Sequence, residues 1–374
     1  MNERVWQRWA RSEMEGISAA GRRRTVRDFD ARGPAGLLPD GREIISFASN
    51  DYLGLTAHPA VIAGARAALD RWGAGAGSAR LIVGSRPVHS ELEAELAAWK
   101  NTEAAVLFPN GFAANLGVLQ TFGGRDVVVC SDELNHASII DGCRMARARV
   151  EVYPHKDLAS LRSLLEANDR TIVVTDTVFS MDGDAAPIDD IADLCFRHGS
   201  LLVIDEAHAV LGPFPDLDGV EAVHVGTLSK FLGAAGGFAA GTAEFMDLLV
   251  NRARPFIFTT ASSPADAGAA LAALRLLRSE EGAHLTRQLR TNVDAIAPGN
   301  PSPILAVMVG AESAAVEASA RLLEHGFLVP AIRPPSVPNG TSRLRVALSA
   351  AHDRSQVSAL RAALDEVLSE PARV

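Results

Sequence analysis

The chain has 374 residues, enough for two or three domains around at least one large core, so a small disulfide scaffold is excluded. With 36 Lys+Arg against 45 Asp+Glu the formal charge is −9, which gives no general attraction to nucleic acid or anionic lipid, so any anion site must be local. Cys130, Cys143 and Cys195 form no CxxC pair and the ten histidines include no HExxH motif. The start Met1-Asn2-Glu3-Arg4-Val5-Trp6 lacks the apolar core of a signal peptide, and no apolar run reaches the ~18 residues of a membrane span. We therefore expect a reduced, metal-free cytoplasmic protein that binds neither nucleic acid nor membrane.

In chain order, a charged amphipathic start and the run Arg22-Arg23-Arg24 lead into the turn-rich segments Gly33-Pro34-Ala35-Gly36 and Pro39-Asp40-Gly41. Residues 1–45 read as an N-terminal arm. From 46 to 265, apolar runs alternate with amphipathic stretches, the pattern of a doubly wound, mainly parallel sheet covered by helices. Buried strands are expected at Asp126–Cys130, Thr171–Thr175, Leu201–Ile204 and Ala222–Val225, and helices at Leu158–Ala167, Ile188–His198 and Pro264–Ser279. The order changes over 266–374, which reads as a smaller α+β domain: strands over Pro303–Val309, Phe327–Ile332 and Arg343–Leu348, with helices at Ser313–His325 and at the end.

In such a sheet, ligands collect at the carboxyl ends of the strands. There the apolar runs meet Asp176, then Asp205-Glu206-Ala207-His208, then Thr227-Leu228-Ser229-Lys230. The chain has three lysines, so 33 of its 36 basic residues are arginine and an amine nucleophile has three candidates. Lys100 ends an amphipathic helix and Lys156 sits in a polar turn; both read as solvated. Lys230 follows a buried strand, where desolvation would lower its pKa and make it nucleophilic, although a surface lysine at a strand end explains its position equally well. Asp205 reads as a metal ligand, a helix N-cap or the partner of a buried cation. The letters DEAH also occur in helicases, but no GxxxxGK[ST] loop precedes them.

Gly111 and Phe112 open a helix after Phe108-Pro109-Asn110, and their free N–H groups suit one phosphate or belong to an ordinary turn. His136 lies on the same edge, able to stack on a ring or to cap a helix. Arg343 and Arg345 alternate with apolar residues; either they grip a carboxylate or they line a solvated strand face. Taken together, an amine, a strand-end aspartate, a phosphate-sized helix N-terminus and a stacking ring match what pyridoxal 5'-phosphate requires.

These residues resemble the α-oxoamine synthases, a family of fold-type-I pyridoxal-phosphate enzymes. The resemblance runs from about Arg22 to the final helix. It is carried by Phe47-Ala48-Ser49-Asn50-Asp51-Tyr52-Leu53-Gly54-Leu55, Gly111-Phe112-Ala113-Ala114-Asn115, His136-Ala137-Ser138, Val178 to Asp184, Asp205-Glu206-Ala207-His208, Thr227-Leu228-Ser229-Lys230 and Ala331 through Arg345 to His352. It implies that Lys230 holds the cofactor as a Schiff base and acts as general base. Asp205 would pair with the pyridinium nitrogen, His208 with the phenolic oxygen, and His136 would stack on the ring. Gly111, Phe112 and Thr227 would hold the phosphate, with Thr259 or Thr260 reaching in from a second subunit, and Ser180 would contact the cofactor or the acyl carbonyl. Arg345 with Asn50 would hold the amino-acid carboxylate. The family implies a homodimer and a decarboxylative condensation of a small amino acid with an acyl thioester.

Within this resemblance, Arg22, which either matches a residue that meets a distal substrate carboxylate or belongs to a solvated basic turn, and the run Ile332-Arg333-Pro334-Pro335-Ser336 favour the branch that joins L-alanine to a pimeloyl group on CoA or an acyl carrier protein in biotin biosynthesis. Another acyl donor with glycine or serine, or a fold-type-I aminotransferase or lyase, is the alternative. The sequence departs from the family after His208, where Ala209-Val210-Leu211-Gly212-Pro213 replaces a glycine-rich stretch.

Overall fold

A computed structural model describes residues 4–369; Met1 to Glu3 of the amino-terminal reading lie outside this range. The central sheet has seven strands in the order Ala104–Phe108, Gly237–Gly241, Ala222–Thr227, Leu201–Asp205, Thr171–Asp176, Val128–Asp132, Arg149–Tyr153. Its neighbours pair in parallel except around Gly237–Gly241, which is antiparallel to both of its own. Along Thr171–Asp176 the side chains divide by the two-residue period of a strand. Ile172 and Val174 enter the apolar cluster on one face with Val129, Val203 and Val225, and Val173 enters the other with Cys130, Leu202 and Ile204. Both faces are buried, which is why these runs read as continuously apolar.

The strands extend one or two residues beyond the apolar runs. Asp132, Asp176, Asp205 and Thr227 remain in the ladder, buried, and end four adjacent strands at one edge. Gly237–Gly241 has the strand-poor sequence Gly-Phe-Ala-Ala-Gly, yet all five residues are buried in the sheet. Its small side chains are what the site needs: a Cβ at Gly237 would lie 2.4 Å from the Asn110 carbonyl and 2.5 Å from the Gly111 nitrogen.

Beyond the helix Pro264–Leu277 the chain forms a three-stranded antiparallel sheet, Ile304–Gly310, Ser342–Ala347, Ala331–Ile332. The run expected as one strand over Phe327–Ile332 splits at Pro330, which has no N–H to donate. Phe327–Leu328 pairs in parallel with Glu43–Ser46, and Ala331–Ile332 with Ser342–Ala347. His352 reinforces the first of these junctions, stacking on Phe47 at 4.0 Å and bonding the Ser46 carbonyl at 3.0 Å. The amino-terminal helix Val5–Ala19 buries none of its residues within the chain. Among the described residues no helix is long and apolar enough to cross a membrane.

Lys100 departs from the solvated reading. The helix Pro87–Lys100 carries it under the turn that follows Leu201–Asp205, where Nζ meets Glu206 Oε2 at 2.9 Å with both side chains under 10% exposed. His224 Nδ1 lies 3.0 Å from the same oxygen. Burial raises the Glu206 pKa, but the charge of Lys100 and the His224 contact outweigh it and bring the carboxyl down to about 2. Replacing Lys100 by Met strands a buried carboxylate and is expected to cost about 3–5 kcal/mol in urea unfolding, with Lys100→Met/Glu206→Leu recovering most of it. A double variant as unstable as the single one would contradict this.

Candidate active site

The strand-end residues converge through hydrogen bonds that the sequence could only suggest. Lys230 Nζ lies 2.8 Å from His208 Nε2, and His208 Nδ1 lies 2.6 Å from the hydroxyl of Tyr52. That hydroxyl donates to Asn50 Oδ1 at 3.0 Å, which also accepts from Arg345 Nη2 at 3.1 Å. The lysine and the arginine thus stand at opposite ends of one chain of contacts. Burial lowers the Lys230 pKa against the opposing pull of Asp205 and Asp176. Burial and then the Lys230 charge hold His208 well below the ordinary histidine value, so its ring is neutral.

A second network holds Asp205. Its Oδ1 accepts the Ala207 N–H at 2.9 Å, and its Oδ2 accepts from Asn115 Nδ2 at 2.7 Å. The Asn115 amide also reaches Ser138 Oγ at 2.9 Å, which lies 2.7 Å from His136 Nδ1. Asp176, cross-strand neighbour of Asp205, accepts the His136 N–H at 2.7 Å. Burial first, and the charge of Asp205 second, push the Asp176 pKa well above the usual carboxyl range. His136 caps the helix Ala137–Met145 and leaves its ring exposed.

The helix Gly111–Phe122 begins beside Thr227. The Asn110 side chain caps it through Ala113 N–H at 2.8 Å, and the N–H groups of Gly111 and Phe112 have no acceptor among the described residues. A Cβ at Gly111 would sit 3.4 Å from Thr227 Cβ. One anion can therefore be held by the two amides, while the Thr227 hydroxyl beside them is engaged with Ser229 Oγ at 2.6 Å and the Gly236 carbonyl at 3.1 Å.

Arg343 and Arg345 share a face, as their alternation implies, but that face is buried: the side chains are 5% and 6% exposed. Arg345 Nε donates to the Ser180 carbonyl at 2.6 Å, and Arg343 pairs with Asp182. The loop carrying Ser180 is clamped at its far end, where Asp184 takes Lys156 Nζ and His155 Nε2. Lys156 is thus partnered rather than free in solvent. Burial pulls His155 down, but its bonds to Asp132 and Asp184 raise it to about 9.

The remaining expected residues lie apart from this cluster. Thr259 and Thr260 line a small void with Pro109 and Phe256, and make no hydrogen bond to Thr227 or Lys230. Ser336 is exposed in a turn, with its N–H on the Arg333 carbonyl. Arg22 is bidentate on Glu312, at 2.7 and 3.3 Å. Tyr52 and Asn115 were quoted inside motifs without a role of their own. Asn115 carries a signal, a polar side chain after Gly111-Phe112-Ala113-Ala114, whereas Tyr52, beside Asn50 and Asp51, carries none.

The family profile described as Aminotransferase class I and II matches residues 42–364. The 8-amino-7-oxononanoate synthase of Anaeromyxobacter dehalogenans is 48% identical over 97% of this chain and 96% of its own length. The chain belongs to the 8-amino-7-oxononanoate synthase family, within the α-oxoamine synthases. The synthase of Methylobacterium nodulans is 44% identical over 96% of each chain. Among solved structures, serine palmitoyltransferase from S. paucimobilis with a bound PLP–myriocin aldimine aligns over 98% of both chains at 27% identity, TM-score 0.89. The 8-amino-7-oxononanoate synthase of Francisella tularensis, 24% identical, shares the fold over 87% of this chain and 98% of its own, TM-score 0.73. The family uses pyridoxal phosphate, and the amine, carboxylate, exposed imidazole and unpaired amides gathered here fit that group.

Two outcomes follow from the geometry. A histidine whose folded pKa is raised contributes stability that is complete below its unfolded value near 6.5 and is lost as pH climbs through about 9. Chemical denaturation of the wild type should therefore weaken across that window, and His155→Gln should flatten this alkaline loss; an unchanged slope would remove the clamp. Asn115→Ala takes a charge-assisted bond from Asp205 and should cost about 1.5–3 kcal/mol of stability. A loss below about 0.5 kcal/mol, the range of ordinary surface changes, would contradict the role given to that bond.

Proposed function

We propose that this protein condenses L-alanine with a pimeloyl thioester, carried by CoA or an acyl carrier protein, releasing CO2 and the thiol and giving 8-amino-7-oxononanoate. The observation that carries this reading is the placing of Lys230, of lowered pKa, at one end of a hydrogen-bonded chain whose other end is Arg345. An amine and a carboxylate clamp joined in this way suit an α-amino acid.

Pyridoxal phosphate supplies an aldehyde that condenses with amines and a protonated ring that withdraws electrons from Cα. Lys230 would be the residue that holds this aldehyde, and its amine, of lowered pKa, would serve as the base for the Cα proton. Asp205, its carboxylate oriented by Asn115 and the Ala207 N–H, would pair with the ring nitrogen. His136 would stack on the ring and His208 would meet its phenolic oxygen. Gly111, Phe112 and Thr227 would hold the phosphate, the Thr227 hydroxyl turning from the Gly236 carbonyl to do so, and Arg345 with Asn50 would hold the alanine carboxylate. Ser180, whose carbonyl already fixes Arg345, contacts the acyl carbonyl.

For the acyl group, a cavity of about 730 Å³ is lined by Gly21, Glu312, Val316 and Arg333; Arg22 follows Gly21 and is paired with Glu312, and the Ser336 N–H bonds the Arg333 carbonyl. Its Arg333 follows the strand Ala331–Ile332, which pairs with the strand bearing Arg345. A distal substrate carboxylate reaches Arg22 by replacing Glu312. The protein works in the cytoplasm as a homodimer; of its arm (1–45), large domain (46–265) and small domain (266–374), the large domain supplies Asp205 and Lys230 and the small one Arg345. Leu81, Ile82, Val83, Phe112 and Phe258 are 42–73% exposed close to the phosphate cradle, and a second copy covering them would bring Thr259 or Thr260 to the partner's phosphate.

Thiol release from pimeloyl-CoA with cofactor-loaded protein should be faster with L-alanine than with glycine or L-serine; release from none of the three would overturn the reaction assigned. Arg345→Ala should raise the alanine KM roughly 10- to 100-fold, the weight of a lost charge-assisted bond. An unchanged KM would remove Arg345 from that role.

A further inference from the structure

We propose that Asn50 and Tyr52 act as positioning residues that fix the tautomer of His208, and through it leave the lone pair of the Lys230 amine free to react. The proposal rests on the reading of Lys230 as the reactive amine, and the bond accounting stands on its own.

Tyr52 is fully buried, and its hydroxyl has one proton to share between Asn50 Oδ1 at 3.0 Å and His208 Nδ1 at 2.6 Å. Asn50 must present its oxygen here, because Arg345 Nη2, which can only donate, lies 3.1 Å from the same atom. A carbonyl oxygen cannot donate, so the Tyr52 proton points to Asn50. The remaining lone pair of Tyr52 then takes a proton from His208 Nδ1. A neutral imidazole carries one N–H, so Nε2 is bare, and Lys230 Nζ at 2.8 Å donates to it. An amine that spends one N–H on this bond keeps its own lone pair for attack.

The opposite arrangement fails twice. If Tyr52 donated to Nδ1, its oxygen would face Asn50 Oδ1 with no proton between two acceptors. His208 would then carry Nε2–H, which would occupy the lone pair of a neutral Lys230 and quench it as a nucleophile. Arg345, by demanding the oxygen of Asn50, selects between the two states from the far end of the chain. The site that receives the substrate carboxylate therefore also sets the amine ready.

The test reads the tautomer directly. In cofactor-free protein labelled with 15N-histidine, the His208 signals, assigned by their loss in His208→Asn, should show a protonated Nδ1 and a bare Nε2 at neutral pH. Tyr52→Phe removes the acceptor for Nδ1–H and should move His208 to the Nε2–H form. Asn50→Leu should do the same, whereas Asn50→Asp, which keeps an acceptor at that position, should retain Nδ1–H. Stopped-flow absorbance on mixing with pyridoxal phosphate should show capture by Tyr52→Phe slowed roughly tenfold, the size of one net hydrogen bond. An Nε2–H wild type, or an unchanged tautomer in Tyr52→Phe, would overturn the proposal. Undiminished capture by Lys230→Ala would instead overturn the reading of the site, leaving the histidine spectrum alone to decide the tautomer.

Discussion

An amine cannot be both desolvated and charged without a large cost, and the site is built around that constraint at Lys230. Strand Ala222–Thr227 delivers it to an edge where three more strands end in Asp132, Asp176 and Asp205. Burial lowers its pKa, Asp205 and Asp176 restore part of it, and His208, itself kept neutral by burial, receives an N–H. Each carboxylate is assigned elsewhere: Asp205 to Asn115 and Ala207, Asp176 to the His136 N–H, and Asp132 to His155 and the Lys156 N–H. None of them forms a direct ion pair with Lys230, so the amine keeps the neutral fraction that nucleophilic chemistry needs.

The small sheet completes what the large sheet begins. Ser342–Ala347 brings Arg345 against the Ser180 carbonyl and Asn50, and Arg343 against Asp182. The loop from Ser180 to Asp184 is thus gripped by arginines from the small sheet at one end and by His155 and Lys156 from the large domain at the other. Beneath the sheet, Lys100 and His224 hold Glu206 and with it the backbone between Asp205 and His208. Lys230 and the strand-end carboxylates stand at the edge, while Lys100 and His224 fix Glu206 in the turn between Asp205 and His208.

Much of this was legible in the residues themselves. Apolar runs with polar ends located the strands and placed Asp205 and Lys230 on one edge, because both faces of a parallel sheet are covered and polar residues gather at its ends, with His224 a mid-strand exception paired with Glu206. Gly237–Gly241 was not legible as a strand: its residues are chosen for the close approach of Asn110 and Gly111, which overrides strand propensity. Lys100 read as solvated because its partner Glu206 is over a hundred positions away, and helix position alone does not reveal a buried long-range pair. Arg343 and Arg345 kept their alternation but not their solvent, since the face they share is covered by the loop at Ser180. Tyr52 could not be distinguished from a core aromatic until its hydroxyl was seen between Asn50 and His208.

The central claim is that one amine of three carries the cofactor. Borohydride reduction of pyridoxal-phosphate-loaded protein, followed by peptide mass spectrometry, fixes the attached group on whichever lysine holds it. The account predicts a pyridoxyl-phosphate group on Lys230 and none on Lys100 or Lys156. Modification of Lys100 or Lys156 with Lys230 unmodified would contradict it.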